Sequence, residues 1–152
     1  MQDFERIDLT MKEVGEHCDV IEEIIRIGED RWELLIQPDV EFLAEFDRQQ
    51  QSLVITAEVA IPAAKDLLPV YEALLQFNQM RAETGGVTMS LSTEGIVEQS
   101  FRLNVAVLEP HVLQHVLENL AEKVLMWRSV LHVETSDQEP DQPPSFDARM
   151  MV

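Results

Sequence analysis

The chain has 152 residues, 45% of them hydrophobic and 26% charged, the balance of a globular protein that buries a core without metals or disulfides. Asp and Glu number 29 against 11 Lys and Arg, for a formal net charge of −18, which repels phosphate backbones and anionic lipid and argues against a nucleic-acid partner. Cys18 has no second cysteine to pair with, no apolar run approaches the ~20 residues of a membrane helix, and Met1-Gln2-Asp3-Phe4-Glu5 lacks the character of a signal peptide, so a cytoplasmic chain without membrane insertion is expected.

Phe4, Ile7, Met11, Val14, Cys18, Ile21 and Ile25 recur at steps of three and four, which predicts a helix within 4–26, although Gly15 and the β-branched Ile24-Ile25-Ile27 cluster weaken it. After Gly28-Glu29-Asp30 the period falls to two. Trp32, Leu34 and Ile36, then Val40, Phe42, Ala44 and Phe46, then Leu53, Ile55, Ala57, Val59 and Ile61 read as strands. The short polar connections between them predict an antiparallel meander.

Asp66 is the expected N-cap of a helix from Leu67 to about Ala82, with Pro69 in its first turn. Its apolar residues make two stripes, one of Leu67, Leu68, Tyr71, Leu74 and Leu75, the other of Val70, Ala73, Phe77 and Met80. A sheet covers one stripe. The second meets either more of the same core or an identical subunit across a two-fold axis, and the latter is preferred, so Val70, Ala73, Phe77 and Met80 are the expected dimer interface. Gly85-Gly86 ends the helix and enters a strand, the reverse of the order in a phosphate-binding loop.

Val87, Met89 and Leu91, the turn Thr93-Glu94-Gly95, and Val97, Phe101, Leu103, Val105 and Val107 predict a second hairpin, with Gln99 interrupting the apolar row. Glu109-Pro110 opens a last helix carrying Leu113, Leu117, Leu120, Val124, Trp127 and Leu131. The order α-β-β-β-α-β-β-α predicts an α+β fold: an antiparallel twisted sheet with helices, in one domain over 1–133. Residues 134–152 are acidic and proline-rich, the composition of a disordered tail, ending in the apolar Phe146 and Met150-Met151-Val152.

Catalytic signatures are scarce. The sequence has no Gly-x-Ser-x-Gly elbow, no phosphate-loop Gly-Lys-Ser/Thr, no Gly-x-Gly-x-x-Gly and no Cys-x-x-Cys. Neighbours on a helix diverge by about 100°, so His17 and Cys18 do not make a nucleophile and base. His111, His115 and Glu118 share one helical face, as metal ligands can, without an obvious further ligand; a small metal-dependent enzyme built on them is the competing reading. The expectation is no catalytic residue, no cofactor and no metal.

Leu74-Leu75-Gln76-Phe77-Asn78 followed by Glu83-Thr84-Gly85-Gly86-Val87, then Val97 to Leu108, then Leu117-Glu118-Asn119-Leu120 through Ala121-Glu122 to Trp127, resemble the class I chaperones of bacterial type III secretion, the Tir-chaperone (CesT-like) family. The resemblance covers about residues 31–131. It implies a cytosolic homodimer built largely on the second helix, around which the N-terminal segment of a secreted effector winds in extended, non-globular form. Trp32, Leu34, Leu43 and Val54 are the candidate effector-binding residues on the first three strands. Some members of this family sequester regulators, so a regulatory adaptor holding a transcriptional regulator is the alternative of the same fold.

Overall fold

Helix α1, Asp3–His17, starts under a capping box in which Gln2 and Glu5 each bond the other's backbone N–H. It ends at Cys18, which is extended. The chain then runs as β1, Ile21–Arg26, so the predicted helix within 4–26 is a helix followed by a strand. The computed structural model describes residues 2–80, 83 and 85–136; the part of the expected tail from 137 to 152 lies outside them, as does the end of the second predicted helix at 81 and 82.

The rest follows as β2, Arg31–Ile36; β3, Val40–Asp47; β4, Ser52–Ala60; α2, Leu67–Gln79; β5, Thr88–Leu91; β6, Val97–Asn104; and α3, Pro110–Ser136. Single 3-10 turns, Ala64–Asp66 and Val105–Val107, precede α2 and α3. Val105 and Val107, expected in a strand, therefore leave it: Val105 turns inward and Val107 outward. The element order is α-β-β-β-β-α-β-β-α, one strand more than expected, and the strands form a six-stranded antiparallel sheet in the order β1-β2-β3-β4-β6-β5.

The chain divides into two compact units. In the first, Met1–Ala57 with Phe101–Lys123, the two-residue period of β2 to β4 sends Trp32, Leu34, Ile36, Val40, Phe42, Ala44, Leu53 and Ile55 to one buried face. Ile7, Met11 and Val14 of α1 are buried in this unit, as are Leu113 and Leu117 of α3. Arg6 fixes the start of α1 by donating to the carbonyls of Val105 at 2.6 Å and Leu108 at 3.1 Å.

In the second unit, Glu58–Ser100 with Val124–Val152, α2 packs on β5. Asn78 ties the pair: its Nδ2 donates to the Met89 carbonyl and its Oδ1 accepts the Met89 N–H, both at 2.7 Å. Phe77 meets Trp127 edge to face, with ring centroids 5.4 Å apart. Arg128 donates to the carbonyls of Val59 and Glu58 at 2.9 and 3.0 Å. Asp66 stands at the N-cap position of α2, as expected, although its carboxylate takes no bond from the first turn. Gly95, at φ 83°, lets the tight turn between β5 and β6 close.

Candidate functional site

Because successive residues of a strand point to opposite faces, burying one face of β2 and β3 leaves the alternate residues outward. Register places them in cross-strand rows. Glu23, Leu35 and Glu41 form one row, Ile25, Glu33, Leu43 and Thr56 the next, and Arg31, Glu45 and Val54 a third. Glu23, Ile25, Glu33 and Glu41 are exposed, and Leu35, Leu43 and Val54 are half-buried. Arg31 reaches Glu45 at 3.0 Å.

β1 closes one end of the sheet, pairing with β2 alone in the strand order. Its free side offers backbone donors and acceptors to an added strand. Exposed apolar residues lie on β1 and at its two ends: Ile25, with Val20 before it and Ile27 after it. Between α1 and β1 lies a groove of about 240 Å³ lined by Met11, Lys12, Gly15, Glu16, Ile21, Glu22, Glu23 and Ile24. Gly15 keeps it narrow, since a Cβ there would sit 3.3 Å from Ile24 Cδ1.

The α1 side of this groove is anchored by charge. Trp32 Nε1 donates to Asp8 at 2.9 Å. Lys12 lies 3.0 Å from the same carboxylate and Arg26 lies 3.8 Å from it. Burial pushes the Asp8 carboxyl up, but the Trp32 hydrogen bond and the Lys12 and Arg26 charges outweigh it and hold it below the usual aspartate value. Arg26 stacks over the Phe4 and Trp32 rings at 5.4 and 5.7 Å. Helix α1, β1 and β2 are thereby locked together at one end of the groove.

The structure sorts the sequence-derived candidates. Leu43 and Val54 stand on the outward rows, whereas Trp32 and Leu34, at 0% and 1% exposure, point into the core and present nothing to a binding segment. On α2 the core takes residues of both expected stripes: Leu74 of the first, at 5% exposure, is enclosed with most of the second. Val70, Ala73 and Phe77 are 1%, 0% and 7% exposed within the single chain, and Met80 is half-buried. The bare residues of α2 are Leu68 and Leu75, at 69% and 70%, and Ile61, before the helix, is 74% exposed. The physical reason is size and placement: Phe77 fills the space against Trp127, and the small Ala73 allows close approach on the same side.

His111 is exposed and pairs with Glu109 at 3.4 Å. His115 Nε2 lies 3.1 Å from Asn119 Nδ2, and Glu118 accepts from Gln114 at 3.0 Å. Among the described residues no three His, Cys, Asp or Glu side chains converge as a metal site. The sequence reading missed Ile25 and Leu35, and its signal was available: Ile25 belongs to a β-branched run too dense for a comfortable helix.

Residues 11–128 match the model of the Tir chaperone protein (CesT) family. The chain belongs to that family. No curated protein sequence matches this CesT-family chain significantly. Solved structures share its fold. A chain of the ExsC–ExsE complex superposes with a TM-score of 0.73 at 15% identity, covering 86% of this chain and 97% of that one. A chain of the complex of the Yersinia pestis type III secretion chaperone SycH with a stable fragment of YscM2 gives 0.61 at 17%, covering 83% and 99%. A chain of the heterodimeric ExoU–SpcU complex from the type III secretion system of Pseudomonas aeruginosa gives 0.60 at 16%, covering 82% and 97%.

Proposed function

We propose that this CesT-family protein is a cytoplasmic type III secretion chaperone that binds the N-terminal segment of a secreted effector and keeps it non-globular and competent for export. The observation that carries this is the uncovered end of the sheet: the open edge of β1, the α1–β1 groove beside it and the outward rows of β1 to β4. An extended segment adding to β1 gains main-chain hydrogen bonds and sets side chains against Ile25, while the part of the segment that crosses the outward rows meets Leu35, Leu43 and Val54. The chain holds its client by binding alone, without catalysis or a cofactor.

The same proposal includes a homodimer, moved from the expected stripe to the bare one. Leu68, Leu75 and Ile61 supply the exposed apolar area that a second copy would cover. The test is capture from the native bacterium under conditions where secretion is blocked, followed by identification of the bound protein and mapping of its protected segment by hydrogen exchange. Protection of an effector's N-terminal segment, with matching protection of the β1 amides, is the expected result. A bound transcriptional regulator would instead establish the adaptor, and a client bound through a folded domain would overturn the holding role.

A further inference from the structure

We infer that the segment held on the outward face of β1 to β3 carries basic side chains interleaved with apolar ones, an inference that rests on the proposed holding role. The face is a checkerboard. Leu35 lies between Glu23 and Glu41 across the strands, and Glu33 lies between Ile25 and Leu43. Along β2 the same alternation recurs, from Glu33 to Leu35, and along β3 from Glu41 through Leu43 to Glu45. Neighbouring strands are ~4.8 Å apart and alternate residues of a strand ~6.7 Å apart, so a segment crossing in either direction meets a carboxylate beside every aliphatic contact.

This spacing limits what can cover the face. A wholly aliphatic segment would strip water from Glu33 while giving its carboxylate no partner, and an acidic segment adds repulsion to a chain already at −18. Arg31, the cation on these rows, is engaged by Glu45 at 3.0 Å. Lysine or arginine at alternate positions satisfies both demands, because the stem lies along Leu35 or Leu43 while the head pairs with Glu23, Glu33 or Glu41. Net charge alone would attract any cation to any part of the surface; the face adds a pattern in which charge and apolar area alternate.

The test uses fluorescence anisotropy with synthetic peptides in which valine alternates with lysine, serine or glutamate, added to the full-length protein. The lysine series is expected to bind tightest and to weaken with added salt. Glu33→Gln and Glu41→Gln should each weaken it roughly threefold to fivefold. Glu94→Gln and Glu122→Gln, which remove equal charge from exposed sites elsewhere, should leave it unchanged. Equal binding of the serine and lysine series, or equal losses from both pairs of substitutions, would overturn the inference. The same variants are then assayed against the captured client. If the client still protects β1 and Glu33→Gln leaves its affinity and salt dependence unaltered, the charge pattern is refuted while the holding role stands; if no client protects β1, the holding role itself falls.

Discussion

The two faces of β2 and β3 are built from the same strands and obey different rules. The inward face is continuously apolar, with Trp32, Leu34, Phe42 and Ala44 each at 2% exposure or less. The outward face alternates Glu33, Leu35, Glu41 and Leu43. Helix α2 repeats the contrast, with Val70, Ala73 and Phe77 turned in and Leu68 and Leu75 turned out. Apolar character alone therefore does not mark a binding surface in this chain; what distinguishes the outward residues is that each has company the core would not tolerate, or no cover at all.

Substitutions that exchange the rules of the two faces should separate them most sharply. Phe77→Asp, which buries a carboxylate against Trp127, is expected to prevent folding, read as loss of the cooperative thermal transition. Phe42→Ala on the inward face should cost about 3–5 kcal/mol in chemical denaturation. Leu75→Asp on the outward side of α2 should leave the fold intact and convert the proposed dimer to a monomer in sedimentation; retention of a dimer would remove α2 from the interface. Leu43→Ala should change stability by about 1 kcal/mol or less while weakening client binding, because its side chain is half-buried on the open face.

The smallest effect concerns the anchor of α1. Asp8 is held below the usual aspartate value, so it binds a proton less readily in the folded chain than in the unfolded one. Its stabilisation is present above the ordinary carboxylate range and disappears as pH falls through the lowered value. Asp8→Asn should thus lower the melting temperature at neutral pH, and the difference from the parent should shrink as pH falls below the ordinary aspartate range. A difference independent of pH would show that the carboxylate's charge contributes nothing to the anchor.

Much of the fold was legible in the sequence because β2 to β4 keep a strict two-residue period against a single buried face. β1 was not, for a local reason. The register shifts between Ile21 and Glu23, and the extra residue places Ile21 and Ile24 opposite Ile36 and Leu34 on the same face. A step of three on one face of a bulged strand is also a helical step, so β1 extends the stripe of α1 without a visible break. The stripes of α2 were legible as two, but which residues of each turned inward depended on Trp127, some fifty residues away, and on Asn78 fixing the helix to β5. The effector-binding candidates divide between buried Trp32 and Leu34 and half-buried Leu43 and Val54 for a related reason: period two separates the two faces of a strand but does not say which one is the surface.

The sheet's two ends are unlike. β1 is bordered by a groove and by exposed isoleucines, whereas β5 at the far end spans only Thr88–Leu91. Growth of a continuous sheet from copy to copy runs edge to edge and needs a long strand at both margins, and here the β5 margin has only 4 residues. A single long margin of this kind accommodates one added strand, or one second copy, and by itself seeds no endless sheet.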